Sequence, residues 1–376
     1  MTNQIHVLHV DDESDLREVM SERLEGAVDR IDVTSVATPA EAVDRLEARP
    51  MDCVVSRYRM PDTDGLELLS QVRVRWPDLP FILYTDRGSE AVASEAISEG
   101  VTEYVQSPDA PEDFEVLAQR IVAATEQRRS SEYERIADLV RQVQSDLVQA
   151  RTREDIETSV CERLVDPEPY VFAWIGTVES ATGRVQPRAS AGQEADYLDT
   201  VEISADDSVT GQGPTGEAVR TCSTQVIQDI SADPGYEPWR EAALERGYRS
   251  SAALPIEYED TLYGVLNVYA NHPGAFDADE QSLLEDLGET IAHAYARIRI
   301  QEQYESQYQE LFEGAPVMMA FTREQDGEPL IEDWNQRFAD KLGYSPAELR
   351  HRPLAELYTA ESGQRLLDRG GYERAL

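Results

Sequence analysis

Residues 5–14 read IHVLHVDDES, a largely apolar, β-branched run that ends on acidic side chains. Similar short runs occupy residues 52–56, 81–85 and 101–106, and segments with the apolar periodicity of helices separate them. Strands that alternate with helices form βαβ units, in which helices cover both faces of a parallel sheet. The sequence therefore predicts a doubly wound α/β domain over residues 1–125.

The whole chain of 376 residues is strongly acidic, with 34 basic and 74 acidic side chains and a formal net charge of −40. Lys341 is the only lysine, so arginine supplies almost all of the positive charge. This composition resembles that of proteins from extreme halophiles, in which salt screens the repulsion between like charges. We therefore interpret the acidic charge as an adaptation to high salt rather than as a sign of a particular binding partner. The charge also argues against direct binding to nucleic acid, which is itself negatively charged.

Membrane and secreted proteins are disfavoured by the sequence. No uninterrupted apolar stretch reaches about 18 residues, and the N-terminus lacks the basic and apolar regions of a signal peptide. Cys53, Cys161 and Cys222 have neither disulfide nor metal-ligand spacing, so we expect buried, reduced thiols. We therefore expect a cytoplasmic protein with no membrane partner.

Polar motifs follow the ends of the predicted strands of the first domain. They are HVDDES at residues 9–14, RYRMPDTDG at 57–65, LYTDRG at 83–88 and YVQSP at 104–108. In order and spacing these motifs resemble the response-regulator receiver family. The resemblance implies a five-stranded parallel sheet with an acidic pair that binds Mg²⁺, a phosphoacceptor aspartate, and a hydroxyl and a lysine that contact the phosphoryl group.

Four positions match the family pattern. The resemblance assigns Asp11 and Asp12 to the metal-binding pair, Thr85 to the hydroxyl and Tyr104 to the aromatic switch residue. Without a phosphoryl group, Thr85 and Tyr104 are also interpreted as an ordinary strand-end hydroxyl and a half-buried ring.

Two positions depart from the pattern, because Arg57 stands in the phosphoacceptor position and Ser107 in the lysine position. Arginine has no nucleophilic oxygen and stays protonated, so it cannot form an acyl phosphate. A guanidinium beside two carboxylates also takes the place of a hard cation, which needs oxygen ligands. We therefore expect Asp11 and Asp12 to be counter-ions of Arg57, with any Mg²⁺ site weak or absent.

Two amphipathic helical connectors are predicted on either side of a middle region. The first, residues 126–151, has apolar positions spaced alternately four and three residues apart. A similar seam of apolar residues occupies residues 284–298 and gives way to the mostly polar second connector, residues 297–310. Such a seam suits either pairing with another helix, which predicts a homodimer, or packing on its own domain.

The middle region, residues 152–296, contains a short turn near Asp260 that indicates an antiparallel hairpin. Its stretches GQGPTGEAVRT (211–221) and TLYGVLNVYA (261–270) resemble GAF domains of haloarchaeal multi-sensor and bacterio-opsin-activator-type proteins. The resemblance implies an α+β fold with a six-stranded antiparallel sheet and a pocket for a small ligand. Trp239 is interpreted as either a core or a pocket residue, and the sequence does not identify the ligand.

The last segment, residues 311–376, resembles the beginning of a PAS domain. The matching positions are Asn335, Phe338, Gly343, Tyr344, Ser345 and Glu348. The segment ends at Leu376, before the strands that would complete a PAS sheet, so we expect an incomplete, partial α+β module.

These modules predict an intracellular signal-transduction regulator of the phosphorelay type. Two alternatives stay open: the sensory part of a hybrid or multi-sensor histidine kinase, and the sensory part of a bacterio-opsin-activator-like transcription regulator. Residues 1–376 contain neither a kinase phosphoacceptor box nor a glycine-rich ATP-binding motif, so no enzymatic activity is expected of this chain. The expected partners are a second copy of the chain and a histidine kinase or downstream regulator protein, and no cofactor is identified.

Overall fold

The computed structural model describes residues 4–61, 63–85, 90–108, 110–166, 170–193, 196–325 and 328–359. The chain divides into two compact units, Met1–Tyr295 and Ala296–Leu376. The first unit holds an N-terminal α/β domain and a middle α+β domain, and the second holds the C-terminal segment.

The N-terminal domain is a parallel sheet covered by helices on both faces, as the sequence predicts. Its described strands are β1 (Ile5–Val10), β2 (Ile31–Val36), β3 (Cys53–Arg57), β4 (Phe81–Thr85) and β5 (Glu103–Gln106), in the order β2-β1-β3-β4-β5. The helices between them are α1 (Ser14–Ala27), α2 (Pro39–Ala48), α3 (Gly65–Arg75) and α4 (Glu90–Ser98). Along β1, Ile5 and Val7 belong to one core cluster and Leu8 and Val10 to the other, which is the alternation of a strand buried on both faces.

The chain between β3 and α3 is held by two local features. The Asp64 carboxylate accepts hydrogen bonds from the backbone N–H groups of Leu66 and Glu67, both at 3.0 Å, and so caps α3. A Cβ at Gly65 would lie 2.4 Å from the carbonyl oxygen of Arg57, so only glycine allows this close approach. The end of β3 is thereby held close to the start of α3.

Helix α5 (Pro111–Gln149) runs without interruption from the N-terminal domain through the first predicted connector. The apolar seam of that connector is buried within a single chain, where α5 contacts the next helix, α6 (Arg153–Val165). Its buried members are Ile136, Leu139, Val140, Val143 and Leu147. Of the two interpretations of this seam, packing against its own domain is the one that the structure supports.

The middle domain has an antiparallel sheet with helices on its faces. The strands are β6 (Phe172–Val178), β7 (Val185–Gly192), β8 (Gln225–Ile227), β9 (Ser250–Tyr258) and β10 (Thr261–Ala270), in the order β7-β6-β10-β9-β8. The helices after α6 are α7 (Tyr197–Thr200), α8 (Pro214–Thr221), α9 (Arg240–Glu245) and α10 (Ala278–Gly314). The predicted hairpin is present as the antiparallel pair of β9 and β10.

The expectation of six strands is wrong for the described residues, which form five. Ser204 pairs with Arg184 only through an isolated bridge. Just beyond it, the Asp206 carboxylate accepts hydrogen bonds from the Ser204 hydroxyl at 2.8 Å and from the Ser208 backbone N–H at 3.0 Å. The chain enters this aspartate turn directly after the bridge, and the pairing does not continue as a ladder among the described residues.

The three cysteines do not share one environment. Cys53 and Cys161 are buried, and burial raises the pKa of each thiol. Cys222 is exposed, so the expectation of a buried thiol is wrong there. It follows α8 in the left-handed conformation (φ 47°), which ends the helix at the surface.

The second unit begins within α10 and continues into a small α+β segment. Its described elements after α10 are β11 (Ala320–Gln325), β12 (Glu328–Trp334), α11 (Gln336–Leu342) and α12 (Pro346–Leu349). The fully buried Asn335 caps α11 and also donates hydrogen bonds to the carbonyl oxygens of Phe312 (3.0 Å) and Val317 (2.9 Å). Residues 360–376 of the predicted PAS-like segment lie outside the described residues.

Candidate functional site

The carboxyl edge of the N-terminal sheet brings several of the predicted site residues together. Asp11 follows β1, Arg57 ends β3 and Thr85 ends β4. These three strands are neighbours in parallel register, with Val10 opposite Ser56 and Arg57 opposite Tyr84. Ligands of open α/β sheets bind at this edge, so it is the candidate site on geometric grounds as well.

Arg57 lies among three carboxylates. Its Nη1 is 3.3 Å from Asp11 Oδ1, 3.4 Å from Asp12 Oδ1 and 2.5 Å from Glu13 Oε1. The side chain of Arg57 is only 12% exposed and that of Asp11 is fully buried. A charge-assisted contact in such a setting is stronger than one in open solvent. Glu13 was missed by the sequence analysis, although it belongs to the same acidic motif.

The second oxygen of Asp11 is also occupied. Tyr84, on β4, donates its hydroxyl proton to Asp11 Oδ2, and the backbone N–H of Glu13 donates to Oδ1 at 2.8 Å. Both carboxylate oxygens of Asp11 therefore accept hydrogen bonds from the protein itself. A metal ion at this position would share these oxygens with the two hydrogen-bond donors.

The series of hydrogen bonds that begins at Asp11 and Tyr84 continues into the core through the side chain of His9. The His9 Nε2 lies 2.9 Å from the Tyr84 hydroxyl, and Nδ1 lies 3.2 Å from the Ser35 hydroxyl. Burial, with a smaller effect of the Arg17 charge, lowers the pKa of His9 to about 3, so its ring is neutral. Because the Tyr84 proton is given to Asp11, Nε2 of this neutral ring carries the proton that His9 donates to Tyr84.

The remaining predicted residues lie around this centre. Thr85 is buried at the end of β4, and its carbonyl oxygen accepts a hydrogen bond from the backbone N–H of Ser107 at 2.9 Å. Tyr104, on β5, is partly buried and packs on the core cluster that contains Leu83 and Ala96. The structure therefore shows where Thr85, Tyr104 and Ser107 lie, while their roles stay predictions.

The acidic edge differs from a Mg²⁺ site in that a guanidinium lies among its carboxylates. Mg²⁺ requires several oxygen ligands in octahedral geometry, and here a guanidinium occupies the space between the acidic side chains. Among the residues that the structure describes, no group of three or more His, Cys, Asp or Glu side chains is arranged to hold a metal ion.

Among the described residues of the middle domain, the space at the aromatic core is small. Tyr197, Tyr236, Trp239 and Tyr269 surround a space of about 10 Å³, roughly the room that one water molecule needs. Trp239 is buried and its indole N–H donates to the carbonyl oxygen of Glu202 at 3.0 Å. Of the two interpretations of Trp239, the structure supports a core residue.

Comparison with known families agrees with the architecture. A model of the response regulator receiver domain matches residues 7–119, one of the GAF domain matches residues 150–296, and one of the PAS domain matches residues 306–371. The chain carries a receiver, a GAF and a PAS domain, in that order. These domains are signalling modules, and they place the chain among signal-transduction proteins. No helix within the described residues is long and apolar enough to cross a membrane.

Three known proteins resemble this chain over part of its length. A protein of Haloferax volcanii named "Putative transcriptional regulator" is 27% identical over 337 residues, which are 76% of this chain and 56% of that protein. The C4-dicarboxylate transport transcriptional regulatory protein DctD of Rhizobium meliloti is 37% identical over 123 residues, 33% of this chain and 26% of that protein. The chemotaxis protein CheY4 of Vibrio cholerae is 27% identical, with 31% of this chain and 98% of that chain covered and a TM-score of 0.30. This chain thus spans about half the length of the first relative and a quarter of the second.

Proposed function

We propose that this protein is a cytoplasmic signal-transduction regulator whose receiver domain is held in one state by an ion pair instead of being switched by phosphorylation. The observation that carries the proposal is the contact of Arg57 Nη1 with Asp11, Asp12 and Glu13. A permanent cation at this centre supplies the positive charge that a metal ion would otherwise bring. Asp11 and Asp12 then serve as counter-ions rather than as Mg²⁺ ligands, and the domain acts by binding rather than by chemistry.

The other domains supply the input and output of this regulator. In the proposal the GAF domain responds to a small ligand or supports dimerisation, and a change in conformation passes along the helices. A histidine kinase or a downstream regulator protein is the expected partner. The Haloferax volcanii relative favours the sensory part of a transcription regulator over that of a kinase, because that relative is named as a transcriptional regulator.

Treatment of the intact chain with acetyl phosphate and Mg²⁺ tests the receiver proposal. We expect the mass of the protein to stay unchanged, because Arg57 offers no oxygen nucleophile and Asp64 is engaged as the cap of α3. A receiver that retains its phosphoacceptor aspartate, treated in parallel, is expected to gain one phosphoryl mass. Addition of a phosphoryl group to this chain, at Asp64 or at Asp62, which lies outside the described residues, would contradict the proposal.

A second copy of the chain is the proposed dimer partner, and the exposed part of α10 is the surface for it. Ile300, Tyr304 and Leu311 are 53%, 69% and 77% exposed, and their spacing places them on one face of the helix. Large apolar side chains in such a row are typical of a helix that pairs with another helix. The seam on α5 is buried within one chain and is not available for this contact.

We expect Ile300→Glu combined with Tyr304→Glu to convert a dimer to a monomer, because the charges oppose burial of this face. Light scattering in molar potassium chloride over a range of protein concentrations measures the change. Gln309→Glu, which adds a charge on the opposite face of the same helix, is the matched control and should leave the dimer intact. A chain that is monomeric at all concentrations, or a double variant that dimerises as the control does, would remove the support for this interface.

A further inference from the structure

A second polar site lies on the GAF domain, away from its aromatic core. It is a cleft of about 460 Å³, here called the arginine cleft, and its walls include Arg153, Arg188, Thr177, Leu262 and Tyr263. Within the described part of the chain, no acidic side chain lines it. Two guanidinium groups therefore line one cleft of a protein whose net charge is −40.

Irregularities in two neighbouring strand pairs shape the cleft. In the pairing of β6 with β7 the register shifts between Ile175 and Gly176, which leaves Arg188 as the extra residue of a β-bulge. In the pairing of β9 with β10 the register shifts between Leu262 and Gly264, which leaves Tyr263 as the extra residue. Bulges re-aim side chains and occur often beside functional sites. Both bulged residues line the cleft.

The buried carboxylate of Glu157 contacts both Arg153 and Arg188. Glu157, on α6, is only 1% exposed; its Oε1 accepts a hydrogen bond from Arg153 Nε at 2.8 Å, and its Oε2 lies 3.5 Å from Arg188 Nε. Arg153 also stacks on the ring of Tyr295 at 4.4 Å and donates through Nη2 to the carbonyl oxygen of the bulged Tyr263 at 2.8 Å. The guanidinium of Arg153 is therefore fixed in place before any ligand binds.

The group of Arg153, Arg188 and Glu157 has a net positive charge and hydrogen-bond donors that Glu157 does not engage. Two guanidinium charges face one carboxylate, so one positive charge is uncompensated within the group. Among the described residues, no acceptor takes the terminal nitrogens of Arg188, whose side chain is half exposed at the cleft. Guanidinium groups bind phosphate and carboxylate oxygens in a bidentate manner, and the Thr177 hydroxyl adds one more donor at the wall.

We propose that the arginine cleft is a binding site for a small organic oxyanion, with Arg153 and Arg188 as its anion-binding residues and Tyr263 and Leu262 as the wall for its organic part. The volume exceeds the space that inorganic phosphate alone needs. Phosphate monoesters and carboxylates share the chemistry that the two guanidinium groups recognise. This inference goes beyond the proposed receiver function and does not depend on Arg57.

Isothermal titration of the full chain with inorganic phosphate, adenosine monophosphate and succinate tests the site, in molar potassium chloride so that the overall charge is screened. We expect saturable binding of one organic oxyanion per chain, with the monophosphate and the dicarboxylate distinguishing the two ligand classes. Arg188→Gln is expected to weaken that binding at least about tenfold, because a charge-assisted contact is lost. Arg188 is half exposed, and Glu157 keeps Arg153 and the Tyr295 hydroxyl as partners in this variant.

Arg184→Gln is the matched control, because Arg184 is also half exposed, lies next to the start of β7 and pairs with Glu202 at 3.4 Å outside the cleft. It should bind as the unmodified chain does. Equal affinity of the Arg188→Gln and Arg184→Gln variants, each shown to keep its melting temperature, would overturn the proposal. The absence of binding by all three probes would also overturn the proposal. An effect of Arg188→Gln on self-association of the chain, with no effect on the binding of any probe, would overturn it as well.

Discussion

Arg57→Met is expected to lower the opening free energy of the receiver domain by about 3–5 kcal/mol in the absence of divalent ions. The substitution preserves the length and the apolar stem of the side chain but removes its charge. Asp11, which is fully buried, then lies beside Asp12 and Glu13 without the Arg57 guanidinium among the three carboxylates. A buried charge without a partner is among the most destabilising changes in a protein interior.

Hydrogen exchange of the full chain measures this effect, followed on peptides from β1 and β3, because a chain with several domains does not unfold in two states. Arg75→Met is the matched control. Arg75 pairs with Glu47 on the surface, with both side chains about half exposed, and such pairs contribute at most about 1 kcal/mol. Equal losses in the two variants would show that the centre does not depend on the Arg57 charge.

Addition of Mg²⁺ extends the same experiment. In Arg57→Met the three carboxylates no longer surround a guanidinium, so their oxygens become available to a hard cation. We expect Mg²⁺ to restore part of the lost protection in this variant and to leave the unmodified chain unchanged. Protection of the unmodified chain by Mg²⁺ would instead indicate a metal site that coexists with Arg57.

The double substitution Arg57→Asp with Ser107→Lys is expected to give a chain that acetyl phosphate labels in large part. The introduced carboxylate oxygen attacks phosphorus, and the bond from phosphorus to the acetate oxygen breaks. Asp11 and Asp12, freed from Arg57, supply oxygen ligands for Mg²⁺, and the introduced amine neutralises charge on the phosphoryl group. Intact mass, with and without Mg²⁺, measures the result.

Arg59→Asp with Ser107→Lys is the control for this experiment. Arg59 is exposed two residues beyond Arg57, so the control adds the same two groups without placing a carboxylate at the end of β3. Label should appear only with the substitution at position 57 and only with Mg²⁺. Equal labelling of the control would mean that a surface carboxylate, rather than the rebuilt centre, accepts the phosphoryl group.

Much of the candidate site was accessible from the sequence because receiver motifs are local. The acidic pair after the first strand, the departure at Arg57 and the serine at position 107 are each read within a few residues of a strand end. The parallel order of the strands then predicts that Asp11, Asp12 and Arg57 meet at one edge. The contacts in the structure place these three residues together at that edge, while their proposed roles await the experiments above.

Two features of the fold could not be predicted from the residues alone. Strand β2 lies at the edge of the sheet, and its central residues Asp32, Thr34 and Ser35 are polar and partly exposed. The strand therefore lacks the apolar run by which the other strands are recognised. The seam on α5 has the periodicity of a dimer contact, yet it is covered by the chain's own helices. Apolar periodicity shows that a face is buried and does not show which surface buries it.

The sequence by itself determined the order of the three domains and the parallel and antiparallel character of their sheets, because each depends on short-range pattern. It also predicts, from single residue types, that Arg57 stands in the phosphoacceptor position. Only the tertiary structure decided which distant side chains meet. Tyr84 reaches Asp11 because β4 lies two strands away from β1. Arg153, on α6, meets the bulged residues Arg188 and Tyr263 at one cleft. Such meetings depend on strand order and register, which are set by packing of the whole domain rather than by any local stretch of chain.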